Sequence, residues 1–250
     1  MSSLRNAESS QGRVIQGKLV EFPVEVRHAT VGSATYLVPA DAARRLLPGS
    51  EIEVAELLPG KALCSIAIID YKDNDLGDYN EVSVALFVRP RGQPAGIPYL
   101  GTMIDLVRNQ LGTYIVHLPV NQSFTCEAGS TIWGFPKTVQ EIEFDYRADR
   151  ASCTLVYDEQ HALTLSLPRG GSRSLPESTM TGYTTIEGVA HTNEFTSGAE
   201  GFGIRLGGAE LELGTGLIAD QLRSLGLPRK AIMTTWMEKM YASFGPSRKL

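Results

Sequence analysis

The chain has 250 residues, 42% hydrophobic and 20% charged, which is enough apolar material for one generous domain and too much for global disorder. Its net charge of −5, from 23 basic and 28 acidic residues, lacks the basic footprint that a nucleic-acid partner requires. Cys64, Cys126 and Cys153 stand far apart with no CxxC pair, so neither a disulfide framework nor a zinc knuckle is expected.

The first twelve residues, MSSLRNAESSQG, are polar and lack the apolar core of a signal peptide. They read as a flexible arm ahead of a single domain over 13–250. No apolar run is long enough to span a bilayer, so no membrane partner and a cytoplasmic location are expected.

From residue 13 onward, short alternating or apolar runs are broken every few residues by Gly, Pro, Asn or Asp. The predicted strands are 13–28, 33–38, 51–57, 61–71, 79–90, 112–118, 139–147, 151–157, 161–167, 181–187 and 190–196. A hairpin is predicted over 202–214, around Gly207-Gly208. The run after Asn80 alternates most cleanly: Val82, Val84, Leu86 and Val88 share one face, and Glu81, Ser83, Ala85 and Phe87 share the other. Helices are predicted at 40–47, 102–110, 121–130 and 228–244. The last rests on Ile232, Trp236, Met240 and Phe244 at i+4 spacing, read as the face of a C-terminal helix packed on the sheet. Many short strands with sparse helices predict an antiparallel barrel or sandwich.

Several motifs fail on inspection. In DYKDNDLGDYNE (70–81), Gly77 falls where a calcium loop needs an oxygen ligand and Asp78 where it needs glycine. The glycines at 201, 203, 207 and 208 do not make GxGxxG, and neither GxSxG nor HExxH occurs. The four histidines are scattered, so no metal and no cofactor is expected. His117 lies in an apolar strand and reads as a core or pocket histidine.

Chemistry concentrates in TIWGFPKTV (131–139). Only seven of the basic residues are lysines, and Lys137 alone is embedded among large apolar groups: Ile132, Trp133, Phe135, Pro136 and Val139. Taking an ammonium out of water disfavours its charged form, and a neutral amine can attack a carbonyl to form a Schiff base. The alternative is that Trp133 and Phe135 pack a loop while Lys137 snorkels to water. Glu81, on the face opposite the Val82 row, is an acid–base candidate if that face is a barrel interior, and a solvated strand-end glutamate if it is not.

GDYNEVSV (77–84) followed by WGFPK (133–137) resembles the acetoacetate decarboxylase superfamily. The resemblance extends through ATYLVPADAARRLLPG, which ends at Gly49, to GLPRKAI near the C-terminus. It implies a mainly β fold: a closed, cone-like antiparallel β-barrel with an apolar cavity, a few short helices, and assembly into a homo-oligomer. It also implies that Lys137 is the Schiff-base nucleophile and that Glu81 lies in the cavity. Departures accompany the match. Thr138 stands where family members carry a second lysine, Gly129 is followed by Ser130 and Thr131 instead of Arg-Glu, and Ile66 stands where they carry a second cavity glutamate. The substrate-facing arginine has no clean counterpart, with Arg27 close to its place.

The expected function is therefore an imine-forming lyase on a small keto acid or related carbonyl compound, by decarboxylation or by aldol-type condensation and dehydration. Lys137 and Glu81 are its catalytic residues. Arg27, His117, Trp133, Phe135, Ile66 and Thr138 are expected around the substrate. The alternatives are a barrel that binds an apolar small molecule without covalent chemistry, and an isomerase or cyclase using Glu81 as base.

Overall fold

The fold is described from a computed structural model over residues 12–49, 51–92, 99–107 and 111–250. All of the predicted N-terminal arm except Gly12 lies outside the described residues. In chain order, β1 (Gly12–Ile15) and β2 (Lys18–Glu21) pair with each other, and β3 (Val24–Pro39) leads into helix α1 (Ala40–Arg44). Short strands β4 (Ile52–Val54) and β5 (Glu56–Leu58) precede the long pair β6 (Lys61–Asn74) and β7 (Tyr79–Pro90). Helix α2 (Leu100–Val107), β8 (Gly112–Val120), helix α3 (Ser123–Trp133) and β9 (Lys137–Val139) follow. Next come β10 (Glu141–Tyr146), β11 (Arg150–Tyr157), β12 (Gln160–Pro168), β13 (Arg173–Ile186) and β14 (Val189–Arg205). The chain closes with β15 (Glu210–Leu213), helix α4 (Leu217–Ser224), β16 (Met233–Phe244) and β17 (Arg248–Lys249).

Seven strands form a closed barrel in the order β7-β6-β3-β16-β14-β13-β8, with β8 returning to pair with β7. Every neighbouring pair in the ring is antiparallel except β8 and β13, which run parallel. Closure removes the exposed edges that an open sheet of this length would leave. A second sheet, β10-β11-β12-β15, lies against the outside of the barrel wall.

Strand alternation divides the apolar residues between two cores. The outer core joins Ile66, Ile68, Val82, Val84 and Leu86 of the barrel wall to Leu155, Leu163 and Leu165 of the second sheet. The inner core fills one end of the barrel with Ile69, Tyr71, Tyr79, Val120 and Met240, packed against Ile132 and Trp133 of α3. The alternation predicted after Asn80 is therefore the division between outer and inner faces of β7. Among the described residues no helix is long and apolar enough to cross a membrane.

Predicted and observed elements differ in several segments. Residues 13–28 are broken by a tight turn at Gln16-Gly17, both at positive φ (48° and 79°), which makes the β1–β2 hairpin. The 202–214 segment is no hairpin: Gly207 and Gly208 carry the chain from β14 of the barrel to β15, which pairs with β12 of the second sheet. Helix α4, with Ile218, Ala219 and Leu222 buried, had not been anticipated.

The predicted C-terminal helix is instead barrel strand β16, paired on both sides by β3 and β14. A spacing of four is shared by the helical period and by two strand repeats, so Ile232, Trp236, Met240 and Phe244 did not discriminate. The strand is irregular between Met237 and Met240. Trp236 accordingly packs over Gly32 and beside Tyr146 of β10 on the outside, whereas Met240 joins the inner core. The Thr234-Thr235-Trp236 run carried the β-branched and aromatic signal that favours a strand.

Candidate active site

Helix α3 ends at Gly134, whose left-handed backbone (φ 68°, ψ 22°) lets its N–H reach the carbonyls of Gly129 and Ser130. A side chain there would also meet Ile186, since a Cβ would lie 2.4 Å from its Cγ1. Trp133 anchors the turn. Its Nε1 donates to Gly245 O at 2.7 Å, and its carbonyl accepts from Thr184 Oγ1 (2.7 Å) and Asn193 Nδ2 (3.0 Å). Its ring lies 6.0 Å from that of Phe135, and both residues are buried in the inner core.

Beyond the turn, β9 pairs in parallel with β8, placing Lys137 beside Leu118. The lysine side chain runs back across α3, and Gly129 opens its path: a Cβ at that position would lie 2.5 Å from Lys137 Cδ and 2.6 Å from Cε. Lys137 Nζ ends 2.8 Å from Glu81 Oε2, with the two side chains only 4% and 7% exposed. A buried ion pair of this kind carries a desolvation cost that a purely structural role does not require.

Two tyrosines complete the cluster. The Tyr79 ring lies 5.0 Å from Lys137 Nζ, in cation–π range, and stacks on Tyr71 with centroids 4.3 Å apart. Tyr71 Oη donates to Glu81 Oε1 at 3.4 Å. Burial, reinforced by the Glu81 charge, pushes both phenols well above their ordinary range, so each is a neutral donor.

Strand register shows what surrounds the carboxylate. Met237, Val31, Ile69, Glu81 and Val120 face one another in sequence across β16, β3, β6, β7 and β8. Two residues along the strands, the next row on the same face is Thr235, Ser33, Ala67 and Ser83. These four are half-buried, while their outer-face neighbours Ala34, Ile66, Ile68, Val82 and Val84 are buried. Half-exposed small residues on the inner face of a closed barrel outline a hollow next to Glu81.

The structure thus brings Lys137, Glu81, Trp133 and Phe135 to one end of the barrel interior, and separates other residues expected there. Ile66 pairs with Val84 and is wholly buried in the outer core, because one residue of offset from Ala67 places it on the opposite face. His117 also pairs with Val84, and its Nε2 meets Gln221 Oε1 of α4 at 2.5 Å, on the outer side. Burial lowers its pKa, with the Gln221 contact opposing.

Arg27 is exposed and held by Asp73 at 2.8 Å, near the end of β6, and by Asp75 at 2.7 Å, in the β6–β7 turn. It borders a separate surface cleft of about 280 Å³ with Glu177 and Tyr241. Thr138 follows Lys137 in β9, so its side chain leaves the other face, where Oγ1 is buried without a partner. Tyr71 and Gly129 had not been singled out from the sequence. Gly129 is a glycine inside a helix, a signal of close approach; Tyr71 becomes legible only once register sets it beside Tyr79. Among the described residues no cluster of three or more His, Cys, Asp or Glu could hold a metal.

Comparison with known proteins follows the same outline. Acetoacetate decarboxylase from Legionella pneumophila superposes with a TM-score of 0.64 at 14% identity, covering 93% of this chain and 90% of that one. The enduracididine biosynthesis enzyme MppR, complexed with pyruvate, gives 0.62 at 15% identity over 94% and 92% of the two chains. An acetoacetate decarboxylase-like enzyme from Sphingomonas wittichii RW1 gives 0.59 at 13% identity over 95% and 97%. No curated protein matches the chain by sequence. The family model for acetoacetate decarboxylase (ADC) matches residues 15–246, nearly the whole barrel and its second sheet, and on that match the chain belongs to the acetoacetate decarboxylase family.

Proposed function

We propose that the protein is a Schiff-base-forming carbon–carbon lyase acting on a small keto acid or related carbonyl compound, by decarboxylation or aldol-type condensation and dehydration. The observation that carries this reading is the buried contact of 2.8 Å between Lys137 Nζ and Glu81 Oε2. Glu81 is positioned to take a proton from the ammonium, freeing the amine to attack the carbonyl carbon. The same carboxyl then returns the proton to the oxygen that leaves as water. The resulting iminium withdraws electrons from the adjacent bond, so that carbon dioxide or an aldehyde departs, or an aldehyde is added, through an enamine.

The Tyr79 face lies where it supports a cation at Nζ in both the ammonium and the iminium states. Trp133 and Phe135 keep water from the imine, which protects it from hydrolysis. Structures of MppR with pyruvate, and with the condensation product of pyruvate and imidazole 4-carboxaldehyde, support carbonyl condensation as chemistry this barrel can host. The reading includes one domain over 13–250, supported by the extent of the family match. It also includes self-association, supported by Val14 and Leu19 standing 65% and 55% exposed on the β1–β2 hairpin.

The test is to incubate the protein with a panel of keto acids and neutral carbonyls, reduce with borohydride, and search for adducts by mass spectrometry. An adduct on Lys137 from any member, lost in Lys137→Ala with the circular dichroism spectrum unchanged, is the expected result. Absence of an adduct from the whole panel overturns the reading in favour of a non-covalent binding barrel.

A further inference from the structure

The distribution of charge on the inner face narrows the substrate class, on the footing of the imine reading above. We propose that the carbonyl substrate carries no carboxylate: the site takes an uncharged ketone or aldehyde and makes or breaks a carbon–carbon bond by aldol-type chemistry, without loss of carbon dioxide.

In the resting site the Lys137 ammonium and the Glu81 carboxylate sum to zero, and both side chains are buried. Imine formation with a neutral carbonyl preserves that balance. The carbonyl and the ammonium give an iminium and one water, Glu81 taking the ammonium proton and returning it to the departing oxygen. One cation still faces one anion. A keto acid instead leaves two carboxylates, its own and Glu81, against one iminium. The surplus charge is then desolvated without a partner, which is among the costliest arrangements a protein interior can hold.

Such a substrate would need a second cation, and among the described residues Lys137 is the one cation in ion-pair contact with Glu81. Arg27 is turned to solvent and already paired with Asp73 and Asp75. Arg89 shares the inner-face parity of Glu81 but lies eight residues further along β7, about 26 Å away at roughly 3.3 Å per residue, with its Nε on Glu53. Laterally, the carboxylate is flanked by Val120 on one side and by Ile69 and then Val31 on the other, all uncharged. The hollow beside it presents Ser33, Ser83 and Thr235, with a hydrogen bond of 2.7 Å already joining Ser33 Oγ and Thr235 Oγ1. Hydroxyls of this kind suit a neutral polar substituent such as an alcohol or amide.

The full chain is tested with two near-isosteric pairs, pyruvate against pyruvamide and acetoacetate against acetoacetamide, by borohydride trapping on Lys137. Each member is normalised to its labelling of a free lysine peptide, which removes differences in carbonyl reactivity. The expected result is half-maximal labelling by the amides at about ten-fold lower concentration than by the acids. Equal or better labelling by the acids overturns the proposal while leaving the imine reading intact. Labelling by none of the four overturns the imine reading and the proposal with it. Glu81→Gln provides a second readout: removing the anion should shift the acid-to-amide ratio toward the acids by about ten-fold, whatever happens to the overall rate. A ratio unmoved by that substitution overturns the charge argument.

Discussion

Strands β6 and β7 present two faces built to different rules. The outer face repeats Ile66, Ile68, Val82, Val84 and Leu86, all buried against the second sheet. The inner face, one residue out of phase, carries Ala67, Ile69, Glu81 and Ser83, small or polar except for Ile69, with the carboxylate turned to a lysine. The outer face excludes water and contributes stability. The inner face gives up apolar packing for a hollow and a buried charge pair. Because side chains alternate, the same backbone hydrogen bonds serve both purposes.

Substitutions beside each of the two faces should therefore separate activity from stability. The largest effect is expected from Gly129→Ala, where the added methyl lies 2.5 Å from Lys137 Cδ and must displace the lysine chain. Misplacing a reacting group by about 1 Å costs on the order of 100-fold in rate, read as the rate of borohydride-trappable adduct formation. Stability should hold, since alanine is the better helix former. The converse is expected of Leu165→Ala in the outer core: a loss of about 2–5 kcal/mol in urea unfolding, with the labelling rate of the folded protein unchanged. Reversal of these two outcomes would erase the functional distinction between the faces.

The smallest effect concerns His117, held neutral on the outer side by burial, with its folded pKa below the ordinary value of about 6.5. A base depressed in the folded state binds fewer protons there than in the unfolded chain. Its contribution to stability is complete above about 6.5 and is lost as pH falls from there toward the folded pKa. Urea midpoints should fall on acidification through that window, and His117→Asn should flatten the slope. An unchanged slope would show that the ring is not held neutral on that side.

The legibility of these features followed the range of the interactions behind them. The alternation after Asn80 is local, and Val82 to Val88 took their predicted face. WGFPK is also local: a helix end, a left-handed glycine and a lysine committed to the interior lie within a few residues. Ile66 and Arg27 come from the resemblance, and matched positions in a sequence do not show which face a strand turns inward. Register put Ala67 and Ile69 on the inner face instead, and Asp73 and Asp75 claimed the arginine. The C-terminal strand was read as a helix because a four-residue spacing satisfies both periods, and an irregularity between Met237 and Met240 then sent Trp236 and Met240 to different faces.

Length, composition and charge on their own gave an acidic, lysine-poor chain with apolar material enough for a sizeable core, and the lysine scarcity led to Lys137. Local pattern determined the β character and the two faces of β7, and the resemblance carried by GDYNE and WGFPK proposed Lys137 and Glu81 as the reacting pair. Only the tertiary structure decided that Lys137 meets Glu81, that two tyrosines support them, and that no other described cation is in ion-pair contact with Glu81. The physical reason is that a single charged group is specified by its residue type. The balance of charge around it depends on strands distant in sequence, joined by hydrogen bonds whose register no local spacing reveals.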